Sequence, residues 1–218
     1  MGFDLSIITR FWPIFLRGFG YTLYVSVLAT GIGLCLGLLV ALGRISHLRL
    51  LRWVTGGYVE VMRGTPLLIQ VFIVYYALPD LGIRFSAITS GVIAMSLYMG
   101  AYVAEILRAG ILSIHRGHVE AARSLGMSYA QTLRRIVLPL MVSLVLPPLT
   151  NEFTTLIKWS AVLSVVTVPE LTYSAQDVIG ITFSPVEGFV VVTLLYWGLN
   201  DLFVHVARVF EKRAARYT

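Results

Sequence analysis

Long apolar runs broken by short arginine-rich segments dominate this chain. No charge occurs between Arg17 and Arg44, and Phe19–Gly43 reads as one membrane-length helix. Crossing about 30 Å of hydrocarbon takes roughly 20 helical residues. A second apolar stretch runs from Gly64 to Pro79. Its sixteen residues give only about 24 Å of helix, so the span is extended back to cover 58–79. The third span covers 85–104, the fourth 136–157 and the fifth 186–206, with the stretch 105–135 left as a polar loop. The first run exceeds the apolar core of a cleaved signal peptide, about 7–15 residues. The pattern predicts an all-α integral membrane protein, one transmembrane domain over 1–218 with five transmembrane helices.

Composition agrees. The chain is 57% hydrophobic and 13% charged, where soluble domains carry about 25% charged residues. This excludes a soluble enzyme domain, a disordered chain and a nucleic-acid binder. The net charge of +6 is then a matter of topology. With the N-terminus outside, thirteen basic residues fall on inner segments, among them Arg44, Arg63, Arg134, Arg135, Lys212 and Arg216. Four, Arg10, Arg17, Arg84 and Lys158, stay outside. The positive-inside rule therefore places the N-terminus outside and the C-terminus in the cytoplasm. A lone Cys35 leaves no disulfide or cysteine metal site, and His47, His115, His118 and His205 lack metal-ligand spacing. No nucleophile–base constellation is present, so neither a catalytic nor a metal site is expected.

The 105–135 loop is polar yet patterned. His118–Leu125 forms a short helical run ending at Gly126, where glycine can take the left-handed conformation. Ser128-Tyr-Ala-Gln131 then has the form of a capping box. Helix, glycine turn and helix lead into Leu138-Pro139. Ala121 and Ala122 are small enough for another protein to approach, with Glu120 and Arg123 supplying charge. An amphipathic connector resting on lipid headgroups fits the same pattern.

The residues Glu120-Ala121-Ala122, then Gly126, then Ile136-x-Leu138-Pro139 resemble the EAA loop of ABC import permeases, EAA-x3-G-x9-I-x-LP, at every fixed position. Arg63-Gly-Thr-Pro-Leu-Leu, Ala104-Glu-Ile-Leu-Arg-Ala-Gly-Ile and Leu146-Pro-Pro-Leu-Thr-Asn-Glu-Phe resemble the polar amino acid uptake group of that family, the histidine, glutamine, arginine and glutamate permeases. The likeness covers about residues 19 to 212. It departs at Leu140-Met141-Val142 and at Trp159-Ser-Ala-Val. The resemblance implies a bacterial cytoplasmic (inner) membrane location and a coupling helix at 117–127, with Arg116, Gly117, Glu120, Ala121, Ala122, Ser124 and Gly126 at the interface with an ATP-binding subunit. It also implies an ATP-binding subunit dimer, an extracytoplasmic solute-binding protein, and an amino acid as substrate. The chain has no Walker A loop, since neither Lys158 nor Lys212 follows a glycine. ATP and Mg would be used by the partner, with no cofactor bound here. Five helices are few to enclose a pathway, so a second permease copy is expected, identical or a paralogue.

Two places within the membrane carry candidate chemistry. Gly64-Thr65-Pro66 reads as a helix interruption, with Thr65 as cap and Pro66 in the first helical position. A free helix N-terminus there favours an anionic group, and Arg63 stands beside it. Arg63, Thr65 and the amides after Pro66 are candidates to hold a substrate carboxylate, with Gln70 included in the candidate substrate set. The other reading is a proline kink with Arg63 snorkelling or pairing with Glu60. In the fourth span Pro147-Pro148 is expected to interrupt the helix, after which Asn151, Thr154, Thr155 and Lys158 share an arc flanked by Glu152. Asn151, Glu152, Thr155 and Lys158 complete the candidate substrate set, against a role in satisfying freed backbone. Gly33-x-x-x-Gly37, with Gly31, suits close helix packing. Asn200 and Asp201 are assigned to interhelical hydrogen bonds, and Tyr58, Tyr75, Tyr76 and Trp197 to aromatic belts. The competing function is a self-sufficient ion-coupled secondary transporter or channel working through Glu152 and Asp201.

Overall fold

The apolar runs fold as helices that continue past the charges bounding them. The computed structural model describes residues 3–214; Arg216, counted above among the inner basic residues, lies outside them. Among the described residues all regular elements are helical: α1 (Leu5–Arg44), α2 (Arg49–Gly64), α3 (Leu67–Phe72), α4 (Ala87–Leu112), α5 (Arg116–Ser124), α6 (Tyr129–Thr132), α7 (Leu138–Trp159), α8 (Leu171–Thr182) and α9 (Pro185–Ala214). A π turn at Leu133–Val137 and a 3-10 turn at Ser160–Val166 make 129–166 one long run. Four helices are long and apolar enough to cross a membrane, and the bent pair of α2 with 67–81 supplies a fifth crossing if taken as one.

The predicted boundaries shift for identifiable reasons. α1 begins at Leu5, not near Phe19, with Asp4 accepting the Ser6 amide at 2.8 Å. Hydrogen bonds from Ser6 hold the Asp4 carboxyl below the usual carboxylate range. Arg10 and Arg17 do not end the helix, because their guanidiniums lie over the rings of Phe11 and Tyr21 at 5.4 and 5.8 Å. α4 runs past Ala104 to Leu112 because Glu105 is neutralised in place: Arg108 Nε donates to both of its oxygens at 3.0 Å, and Arg44 Nη2 reaches it at 3.3 Å. The loop assigned to 105–135 is shorter accordingly.

Pro147 and Pro148 do not interrupt α7, contrary to expectation; the helix continues through both. Each proline deletes one amide, which frees the carbonyls of Ser143 and Leu144 four residues earlier, and transmembrane helices tolerate such losses. The nearby hydroxyls Ser143 Oγ and Thr150 Oγ1 serve other carbonyls, those of Leu140 and Leu146, at 2.8 and 3.0 Å. α9 starts on Pro185, a residue suited to the first turn, and reaches Ala214, past the expected 206.

α1 and α4 form the centre of the bundle, in contact along their length. A Cβ at Gly33 would lie 2.6 Å from Met99 Cγ, and one at Gly37 would lie 2.5 Å from Val103 Cβ. Only glycine permits so close a crossing. Gly31 faces open space and is not part of that contact. Val25, Ala29, Met95, Met99, Val103, Leu156 and Leu163 bury the central core, and Phe15 packs with Leu171, Ala175 and Val191 at the opposite end. The assignments of Asn200 and Asp201 fail: Asn200 bonds the Tyr196 carbonyl and Asp201 pairs with His205, both within α9. Nor does Tyr58 belong to an aromatic belt, since its hydroxyl donates to the Leu97 carbonyl across to α4.

Candidate functional site

Thr65 and Pro66 take extended backbone (ψ 143° and 139°), and the chain turns by 108° between α2 and the 67–81 segment. The second span is thus two helices at a sharp angle, not a single rod over 58–79. Pro66 is the residue before the first helical position, one earlier than expected, and Thr65 does not cap α3; its hydroxyl donates backward to the Val61 carbonyl at 2.8 Å. Gln70 is 6% exposed, and its Nε2 donates to Met62 O (2.8 Å), Thr65 O (3.2 Å) and Thr65 Oγ1 (3.0 Å). In an unbroken helix Met62 O would receive the amide of residue 66, which proline lacks. Gln70 supplies the missing donor. Of the candidate substrate set, Thr65 and Gln70 are therefore engaged in holding the break.

Arg63 remains free of that network. It forms no ion pair with Glu60 among the described residues. Its guanidinium lies 5.1 Å over the Tyr102 ring, and Tyr102 stacks on Tyr98 at 4.5 Å. Glu152 of α7 lies within electrostatic reach of Arg63 and Tyr98, and its Oε1 is buried without a partner. Two residues placed apart in the sequence argument, Arg63 and Glu152, thus meet around a tyrosine pair that it had not named. A one-helix-turn Tyr98-x-x-x-Tyr102 spacing on α4 was the available signal.

The arc predicted on α7 splits. Thr154 turns inward (7% exposed) and donates to the Asn151 carbonyl, while Asn151 and Lys158 are exposed and Thr155 half-buried. Beside Arg63 opens a groove of about 960 Å³ between α2, the end of α1 and α4, lined by Arg44, Arg49, Arg52, Glu60 and Glu105 among others.

At the same end of the bundle as Arg44, α5 and α6 form the predicted hairpin. His115 Nδ1 accepts the Gly117 amide at the start of α5. Gly126 has φ 77°; its amide donates to Arg123 O (2.9 Å) and that of Met127 to Ala122 O (3.1 Å), the paired bonds of a Schellman motif. The capping box forms in both directions: Ser128 Oγ receives the Gln131 amide, and Gln131 Oε1 receives the Ser128 amide. Arg116, Glu120, Ala121, Ser124 and Gly126 are exposed and Gly117 half-buried, whereas Ala122 is 4% exposed and packs inside the hairpin. Its small size serves the chain's own packing.

A buried polar cluster at the far end escaped the sequence reading. Glu170, fully buried, caps α8 by accepting the amides of Thr172 (2.9 Å) and Tyr173 (2.7 Å) and also takes the Tyr196 hydroxyl at 2.7 Å. Thr22 accepts the Leu171 amide.

A bundle with several membrane-length helices, a broken helix beside an arginine and a buried glutamate, and a short capped helical hairpin is the build of a transport permease. The comparisons place it further: the chain belongs to the family of binding-protein-dependent transport system inner membrane components, which matches residues 33–216. It is 40% identical over 215 residues to a probable amino-acid ABC transporter permease of Bacillus subtilis (strain 168), covering 99% of this chain and 95% of that one. It is 36% identical over 215 residues to the glutamine transport system permease of Escherichia coli (strain K12), covering 98% of each. A crystal structure of an amino acid ABC transporter with histidines superimposes with a TM-score of 0.91 at 37% identity, over 98% of this chain and 100% of that chain. The inward-facing methionine ABC transporter shares the fold, with a TM-score of 0.72 at 19% identity over 97% and 99% of the two chains. These relatives support a transport subunit over a self-sufficient ion-coupled carrier.

Proposed function

We propose that this chain is the membrane-spanning subunit of an ATP-driven importer for a polar amino acid in the bacterial inner membrane, with the N-terminus outside and the C-terminus in the cytoplasm. The observation that carries this reading is the α5–α6 hairpin: the EAA residues stand on a short helix fixed by a Schellman turn and a capping box. Such an element can transmit movement without bending. The hairpin would seat in a cleft of a separate ATP-binding subunit dimer, which would bind and hydrolyse ATP with Mg. Arg116, Gly117, Glu120, Ala121, Ser124 and Gly126 would form the contact, with Ala122 behind it.

Within the membrane, Arg63 would attract the substrate carboxylate and Glu152 its α-ammonium group, between the Tyr98–Tyr102 pair. Asn151, Thr155 and Lys158 would face a water-filled pathway shared with a second permease copy, identical or paralogous. An intramembrane polar stripe needs water or a protein partner. Thr65 and Gln70 would act by fixing the break that presents Arg63. A solute-binding protein would deliver substrate at the outer side, against the Trp159–Pro185 segment.

The test is a tagged pull-down from native membranes, comparing the native chain with Gly126→Asp. An ATP-binding subunit that arrives with the native chain, hydrolyses ATP and is lost or uncoupled with the variant supports the reading. A native chain that purifies without any ATPase under mild conditions refutes it.

A further inference from the structure

The groove beside Arg63 is rich in basic side chains. Four arginines line it, Arg44 from the end of α1 and Arg49, Arg52 and Arg63 from α2, against the two glutamates Glu60 and Glu105. Glu105 is already held by Arg44 and Arg108, so its charge does little to offset the others. From Arg49 to Arg63 the helix rises about 21 Å, so the guanidiniums are spread along its length. Guanidiniums gathered in one groove are not stable against lipid tails and call for water or polar protein. Arg63 belongs both to this groove and to the cluster with Tyr102 and Glu152, so the groove opens onto the candidate substrate site.

We infer that the groove is the water-filled vestibule on the hairpin side of the pathway, and that its arginines make it selective by charge, passing zwitterionic or acidic amino acids and holding back those with cationic side chains. This rests on the proposed function. Low-dielectric walls focus the field of a one-sign cleft and change the local concentration of charged solutes by about tenfold or more. Arg49 and Arg52 lie at the mouth, away from the Arg63–Glu152 cluster, and act as specificity residues there.

Gly57 offers the probe position. It lines the groove, and a Cβ added to it meets no heavy atom within 4 Å. Gly57→Cys is made in a Cys35→Ala chain, kept in its complex with the co-purifying partners, in membrane vesicles with the hairpin side outward. Labelling rates are measured with two methanethiosulfonates of matched size, one carrying a sulfonate and one a trimethylammonium group. We expect the ratio of anionic to cationic rates, referenced to free cysteine, to be about five or more, and to fall toward one in Arg49→Gln/Arg52→Gln. A ratio of one or below in the Gly57→Cys chain overturns the charge selection. No labelling by either reagent, while a parallel His47→Cys chain is labelled, overturns the vestibule. So does labelling that appears only in detergent, which marks a groove filled by lipid. Trp53→Cys, 78% exposed at the groove rim, repeats the measurement if Gly57→Cys does not assemble. ATP-dependent release of an amino acid preloaded in the same vesicles, with the solute-binding protein enclosed, separates the two readings: biased labelling without release sinks the importer and leaves the vestibule, and release without biased labelling does the reverse.

Discussion

Gln70→Leu tests whether the break between α2 and α3 is held by a side chain or merely permitted by proline. The substitution keeps approximate volume in a site only 6% exposed and removes the single nitrogen that serves Met62 O, Thr65 O and Thr65 Oγ1. Thr65 Oγ1 keeps its own bond to Val61 O, so two carbonyls lose a donor. A buried acceptor left without a partner costs about 1–3 kcal/mol, although interhelical bonds within membranes average nearer ~0.6 kcal/mol. Leucine also removes Gln70 Oε1, an atom buried without a partner, which returns part of that cost. The net loss comes to about 2 kcal/mol.

For a chain of this size, 1 kcal/mol moves Tm by about 2–4 °C, so Gln70→Leu should lower the unfolding temperature of the purified complex by about 4–8 °C. Gln70→Glu is the stricter comparison. When ionised it lacks the donor and adds a charge that repels the same two carbonyls, so it should be less stable than the leucine variant by about 1 kcal/mol or more. Both should also lower uptake, because the staple presents Arg63, the group proposed to hold the substrate carboxylate. A Gln70→Leu complex melting within a degree of native refutes the staple. Unchanged stability combined with a raised half-saturation concentration would assign Gln70 to substrate binding instead.

Other variants probe the remaining contacts. Gly126→Ala forces a Cβ into a φ of 77° and should destabilise the hairpin by about 1–2 kcal/mol, whereas Gly126→Asn should cost less; ATPase activity of the assembled complex is the readout, and equal effects would contradict a left-handed turn. A methyl at Gly110 would overlap Val145 Cγ1, while Val145 Cβ stays at 3.7 Å. Gly110→Ala should therefore be rescued by Val145→Ala, with a favourable coupling of about 1–3 kcal/mol in a thermal double-mutant cycle, and strict additivity would exclude that α4–α7 contact. Glu170→Ala should cost about 2–3 kcal/mol by removing a helix cap and the shortest partner of the Tyr196 hydroxyl, which keeps only Ser160 and Thr172 at 3.3 and 3.4 Å, with Tyr196→Phe costing about 1 kcal/mol because both amide bonds remain; thermal unfolding of the complex checks the order, which reversal would refute.

What the sequence makes legible here depends on whether the cause is local. Gly126 and the Ser128–Gln131 box act within a few residues, and both form at the predicted positions. The Gly33–Gly37 face is also local, because spacing on one helix decides what can approach it. Helix ends are less legible, since a charge stops a hydropathy run but need not stop a helix. Glu105 and Arg108 look like the start of a loop until Arg44, 61 residues earlier, is placed beside them. The proline pairs show the same division. Pro66 and Pro147-Pro148 are both strong breakers by residue type, yet the chain turns 108° at the first and passes straight through the second. Around Pro66 the backbone is extended and Gln70 folds back to serve the exposed carbonyls, whereas at Pro147 and Pro148 the helix continues with only two amides lost. A donor four residues past a proline is visible in the sequence, but its use as a replacement amide is decided only when the bend brings it to Met62. For that reason the break itself can be read in advance, while the use of Gln70 to hold it cannot.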